Sequence, residues 1–336
     1  MISNQRPGVY SRVEISGCGG ASGRWGVALL LPGEQHNVYK LDSYQEARDV
    51  LGDSRLVLDC ARLLFEGAGR VIVVTAPGVS EAFLAAGQAD VRAIVSGFTG
   101  TEELAALRDQ AQRLSEEGRE CIAFAGLGEP DEAISAAEVV NSGRVVLCCP
   151  VLEIAGDADS DSGPQAIYAA CALAAAVLGA TSPVMSFNGL RFEGLRVAQA
   201  LPEDDIQRLI RAGVCVFEQV GAGAELIRGV TTHTQPEGGE GSLRGLGTVL
   251  IIDDVLGGVR GALRGKLGGS GKVSLEGVRD LVAVELRGKQ DSGIIASFAP
   301  PRVRPKPGDP SVALVEISFG VAHLLSQIHL TAHIRV

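Results

Sequence analysis

The chain has 336 residues, 46% hydrophobic and 21% charged, with a formal net charge of −10. That composition excludes a disordered chain, the length suggests two domains, and the acidic balance disfavours nucleic acid as a partner. No apolar run reaches the roughly 18 residues of a membrane span. The polar first ten residues lack a signal peptide's apolar core, so no membrane insertion and synthesis in a cytoplasm are expected.

In chain order, Arg6-Pro7-Gly8-Val9-Tyr10 runs into Val13 and Ile15 as an extended N-terminal strand, and a Gly/Ser-rich linker covers residues 16–23. The pattern then predicts a strand at 25–31, a short helix at 43–51 and a helix at 54–66 with Leu56, Leu63 and Leu64 on its apolar side. Strands follow at 71–75 and 91–96. A helix opens at Thr101 with Glu102 and Glu103 in its first turn and ends at Gly118, followed by a strand at 120–125, a helix at 131–141 and a strand at 144–149. Strand–helix alternation with nearly all-apolar strands signals a largely parallel sheet covered on both faces.

An acidic loop at 157–164 leads to an Ala-rich helix at 165–178, apolar almost all round and therefore buried. A helix at 203–212 stops at Gly213, and a strand at 214–219 turns through Gly221 and Gly223 into a strand at 225–232. The Gly-rich stretch 235–247 reads as a domain boundary. Beyond it are expected an apolar segment at 249–263, a helix at 274–287, a strand at 293–298, a Pro-rich loop at 299–310 and a strand at 312–321. The chain closes on Ile328, Leu330, Ala332, Ile334 and Val336, alternating with His329, Thr331, His333 and Arg335.

Alternation carried to the last residue means that one face of that strand is covered, and a strand with free edges is a template for another chain. The ends therefore predict a homo-oligomer whose subunits exchange strands through Val9, Tyr10, Val13 and Ile15 and through Ile328, Leu330, Ile334 and Val336. The fold class is α/β, a mostly parallel sheet covered by helices, plus a smaller α+β C-terminal domain. Its divisions are 1–23 (arm and linker), 24–235 (α/β domain), 236–321 (C-terminal domain) and 322–336 (linking strand).

Signatures of chemistry are weak throughout. Cys60, Cys121, Cys148, Cys149, Cys171 and Cys215 sit in apolar patterns and read as core residues. Gly17, Gly19, Gly20 and Gly23 lack dinucleotide-binding spacing, Gly271-Lys272-Val273 lacks both the first glycine and the hydroxyl of a P-loop, and no G-x-S-x-G occurs. The alternate carboxylates Asp157, Asp159 and Asp161 resemble a calcium loop, but Ser162 and Tyr168 stand where Gly and Glu are needed. His323, His329 and His333 read as polar-face residues rather than ligands. Asp253-Asp254 could form a carboxylate couple, but a helix N-terminus favours them by its dipole and is the preferred reading. No catalytic residue, metal or cofactor is expected.

Between Arg244 and Lys306 eleven basic residues face six acidic ones, so this segment is +5 and the remainder −15. A basic module on an acidic body suggests an acidic partner, with a solvated face as the plainer reading.

Taken together, Arg6-Pro7-Gly8-Val9-Tyr10, Ala212-Gly213-Val214 leading to Leu226-Ile227-Arg228-Gly229-Val230-Thr231-Thr232, and Val249-Leu250-Ile251-Ile252-Asp253-Asp254-Val255 resemble the tail sheath proteins of contractile phage tails and phage-tail-like particles. In the third motif the resemblance implies a strand-to-helix entry into the C-terminal domain. It further implies stacked hexameric rings around an inner tail tube protein, with a baseplate and a tail terminator as further partners, in a virion or phage-tail-like particle assembled in the host cytoplasm. Contraction would drive the tube through an envelope, and Arg260, Arg264, Lys266, Lys272 and Arg279 would meet the tube. A soluble α/β enzyme with a β-rich tail, which would need a polar cluster near Ala76-Pro77-Gly78, Gly126-Leu127-Gly128 and Pro150-Val151, and a non-contractile tail or capsid protein are the alternatives.

Overall fold

The computed structural model describes residues 25–52, 54–86, 90–155, 163–234, 241–264 and 274–321. Chain order runs β1 (Gly26–Pro32), β2 (Asn37–Leu41), α1 (Tyr44–Leu51), α2 (Arg55–Phe65), β3 (Arg70–Ala76), α3 (Val79–Ala86), β4 (Val91–Ser96), α4 (Thr101–Glu116), β5 (Ile122–Gly126), α5 (Pro130–Val140) and β6 (Val145–Cys149). It continues with β7 (Leu152–Ile154), α6 (Ile167–Gly179), β8 (Leu190–Phe192), β9 (Leu195–Val197), α7 (Glu203–Ala212), β10 (Val214–Val220) and β11 (Gly223–Leu226). After a 3-10 turn at Gly241–Arg244 come α8 (Leu246–Arg264), α9 (Leu275–Asp291), β12 (Ile295–Phe298), β13 (Arg302–Lys306), β14 (Asp309–Glu316) and β15 (Phe319–Val321).

Among the described residues nine strands form one sheet in the order β2-β3-β1-β4-β5-β6-β10-β11-β8. The six strands from β3 to β10 in that order are parallel, and β2, β11 and β8 add antiparallel edges. Successive side chains alternate between faces. Val27, Leu29, Val73, Phe124 and Val146 point to one face under α2 and α6, while Leu30, Ile72, Ile94, Ala123 and Leu147 point to the other under α3, α4, α5 and α7. Every residue of β5 and β6 is buried, which is why these strands read as unbroken apolar runs. α6 is equally enclosed: Gly67 and Gly126 lie so close to the carbonyls of Ala175 and Ala166 that a Cβ at either would overlap backbone.

Local signals set the boundaries. Ser43 caps α1 by accepting from the Glu46 amide at 3.2 Å while the Glu46 carboxylate accepts from the Asp42 amide at 2.8 Å. Gly118 and Gly213 follow α4 and α7 with φ of 80° and 85°, a region open to glycine.

Several elements differ from expectation. The strand expected at 225–232 ends at Leu226; beyond it the Val230 amide donates to Cys215 Sγ (3.3 Å) and the Thr231 amide to the Arg244 carbonyl (2.8 Å), so the backbone is satisfied outside a ladder. The Pro-rich stretch read as a loop contains β13, which lies at a hairpin edge where Pro305 needs no ladder donor. The expected strand-to-helix entry near residue 249 is one helix, α8. Leu246 and Val249 pack into the large core, whereas Ile251, Val255 and Val259 pack into a second, C-terminal core. A helix with two apolar faces looks like a continuous apolar run in sequence. Asp253 and Asp254 consequently lie two turns inside α8, not at a helix N-terminus.

Candidate assembly surfaces

The C-terminal module is built on the pair α8 and α9. Val282 and Leu286 of α9 meet Ile251, Val255 and Val259, and Ile295 of β12 completes the cluster. A rim of half-buried Ile294, Phe298, Val315, Ile317, Phe319 and Val321 packs against it. Two small sheets cover this core, β12 with β15 and β13 with β14, each of two strands among the described residues. Two-stranded sheets are marginal alone, and among the described residues each strand here has one edge without a partner.

The two modules are joined by buried charge. Arg144, just before β6, donates Nη1 to Asp253 Oδ2 at 2.6 Å, and these side chains are 15% and 10% exposed. Burial pushes the Asp253 carboxyl above the usual carboxylate range, against the opposing pull of Arg144. Glu120, before β5, pairs with Arg260 of α8 and lies 3.7 Å from Arg92 of β4. Burial, then the neighbouring Arg92 and Arg264, lower the Arg260 guanidinium's pKa. Asp254 turns the other way and accepts from Lys289 of α9 at 2.7 Å. Arg244 donates Nη2 to the Ile210 carbonyl at 2.8 Å, closing the end of α7. Adjacent carboxylates thus serve two partners about 100° apart on the helix, one per module.

Of the residues expected to meet the tube, Arg260 is directed at Glu120 in the α/β domain, Arg264 is exposed in the last turn of α8, and Arg279 on α9 is half exposed and paired with Asp280 at 3.2 Å. Lys266 and Lys272 lie outside the described residues, as do Val9, Tyr10, Val13, Ile15, Ile328, Leu330, Ile334 and Val336, the Asp157 loop and the three C-terminal histidines. Arg302, Arg304 and Lys306, counted among the eleven basic residues, alternate along β13, where Arg304 pairs with Glu316 of β14 at 2.7 Å. Arg144 and Glu120 gave no signal, because the partner of Arg144 is 109 positions away.

Near the strand ends that an enzyme reading would need, some described residues pack apolar. Phe98 and Leu127 are buried there, and Gly126 abuts Ala166. A surface depression of about 470 Å³ lies elsewhere, lined by Arg108, Asp109, Gln112, Arg113, Glu116, Asn141 and Ser142. Its Arg108 donates Nη1 to the Val139 carbonyl at 3.3 Å and its Gln112 to Glu116 at 3.0 Å. No group of side chains suited to hold a metal ion occurs among the described residues, and none of their helices is long and apolar enough to cross a membrane. All six described cysteines are buried and unbridged.

Among the described residues, a broad mostly parallel sheet covered on both faces is thus joined through buried ion pairs to a small module of two helices and two two-stranded sheets. The chain shares the fold of tail sheath proteins. The sheath tail protein of Listeria innocua matches with a TM-score of 0.70 and 11% identity, over 90% of this chain and 93% of that one. The PVC sheath of an extracellular contractile injection system in its contracted state matches with a TM-score of 0.71 and 12% identity, over 99% and 98%. In sequence, the tail sheath protein of Bacillus phage SP01 is 32% identical over 111 residues, 32% of this chain. The chain spans 19% of the length of that curated relative. No family model matches.

Proposed function

We propose that this chain is a structural, non-enzymatic subunit of a contractile tail sheath, polymerising as stacked hexameric rings around an inner tube and contracting to drive the tube through an envelope. The observation that carries the reading is the C-terminal module, which among the described residues is a six-residue core under two-stranded sheets, each with one edge open. Such a module gains most from strands supplied by neighbours, because backbone hydrogen bonds at a sheet edge are largely independent of sequence. Residues 1–23 and 322–336 are the strands assigned to that role, flanking an α/β domain at 24–235 and the assembly domain at 236–321. The fold shared with a contracted sheath supports it.

In this reading, energy is held as subunit contacts not yet made. A baseplate trigger lets the extended array fall to a compact one, and small gains per subunit add along the tube. Arg264 and Arg279, with Lys266 and Lys272, are assigned to an acidic tube surface, an attraction weak enough in salt to release. Arg260 is left out because Glu120 occupies it.

Negative-stain electron microscopy of the purified protein, with and without residues 328–336, tests the proposal. Long hollow tubes that vanish on truncation are expected; discrete monomers or dimers indifferent to the deletion would overturn it.

A further inference from the structure

Trp25 is the only tryptophan of the chain and joins residues 1–24 to β1. Its carbonyl accepts from the Gly69 amide at 3.1 Å, and its ring lies under the guanidinium of Arg92, whose central carbon is 4.1 Å from the ring centroid. Arg92 in turn reaches Glu120 at 3.7 Å, and the other oxygen of Glu120 pairs with Arg260. The Glu120 side chain is 2% exposed. Arg260 gets there by passing over Gly118, where a Cβ would lie 3.4 Å from its side chain. Four residues from β1's start, β4, the turn before β5 and α8 therefore form one unbroken line from residue 25 to the C-terminal module.

One buried carboxylate between two guanidinium groups makes each arginine's position depend on the other's. If Arg260 withdraws, Glu120 belongs to Arg92 alone, and the pull that sets Arg92 over the indole changes. We propose that Trp25, Arg92, Glu120 and Arg260 are a relay coupling the root of the N-terminal segment to α8. Its place in assembly rests on the sheath reading, in which residues 1–23 leave for a neighbouring subunit: a displacement at residue 25 is then felt in the same subunit's C-terminal module. The coupling itself requires no assembly.

The single tryptophan makes the relay measurable in the dilute full-length protein, by its emission spectrum and acrylamide quenching. Arg260→Ala is expected to change Trp25 quenching roughly twofold, a shift of the size that a weak exposed cation–π attraction allows. Arg264→Ala, one turn further along α8, should leave it unchanged. Glu120→Gln should act like Arg260→Ala, and the double variant should add nothing, because contacting residues of one network are not additive. Should the alanine variant fail to fold by circular dichroism, Arg260→Lys keeps the charge and loses the fork; a smaller shift of the same sign supports the relay. Unchanged Trp25 signals in folded Arg260 variants, with a clear change in Arg92→Ala, would overturn it. Because the signal is read in dispersed chains, failure to form tubes leaves this result intact, and the converse holds as well.

Discussion

The α/β domain and the C-terminal module solve the same problem at different scales. In the former, strands such as β5 and β6 are buried along their whole length between two helical layers, and both faces of the sheet are filled. In the latter, six buried residues hold together two helices and two small sheets whose outer residues are half-exposed. The larger unit has a complete interior of its own. The smaller one gains order from what it touches, first α8's union with the sheet and then, in the sheath reading, its neighbours. A leucine in one unit should therefore not be equivalent to a leucine in the other.

The largest effect tests that contrast directly. Leu29→Ala and Leu286→Ala remove the same atoms from sites of equal burial. Leu29, enclosed by strands and helices, should fall near the top of the range of about 2–5 kcal/mol, and Leu286, whose surroundings can collapse, near the bottom. Urea unfolding of both variants decides it; equal losses would erase the distinction.

Next comes the seam between the units. Arg144→Met leaves the Asp253 carboxylate buried without its cation and should cost about 3–5 kcal/mol at pH 7. Asp253→Asn likewise leaves the buried Arg144 without its anion and should also be strongly destabilising at pH 7, while burial raises the Asp253 carboxyl's folded pKa above its unfolded value. A raised carboxyl contributes stability that is fully present below the unfolded value and is lost as pH rises through the folded one. The Arg144→Met penalty should accordingly shrink as pH falls toward 4, while the Asn variant lacks that component. Denaturation at pH 7 and pH 4.5 reads both.

The smallest effect concerns the thiols. Burial pushes Cys121 and Cys149 up to about 12 and Cys148 and Cys171 well above the ordinary thiol value. With Cys18 replaced by serine, the native protein should react negligibly with a thiol reagent at pH 8 and release six equivalents once unfolded, matching the six buried cysteines. Early reaction of any one would mark local opening in the domain expected to be the more rigid.

Much of the large domain was legible because a parallel sheet writes itself as short apolar runs between capped helices, as at Val145–Cys149 and at Ser43 before α1. What escaped notice had weak or double signals. The edge strand β2, Asn-Val-Tyr-Lys-Leu, is short and half polar, α3 has only eight residues, and β7, β8 and β9 have three each. α8 reads in sequence as one unbroken apolar run because it serves two cores at once. The ionic seam was invisible for a different reason: neither Arg144 nor Glu120 is unusual until the fold brings α8 across the sheet.

The hairpin β13–β14 carries one more consequence. Pro305 offers no amide, and Arg302 and Lys306 add positive charge beside Arg304, which is paired with Glu316 at 2.7 Å, so β13 discourages a newcomer. β12, with Ile295, Ala296, Ser297 and Phe298, has neither deterrent, and nor does β15. Of the described edges in this module, β13 is thus the one least suited to take an added strand.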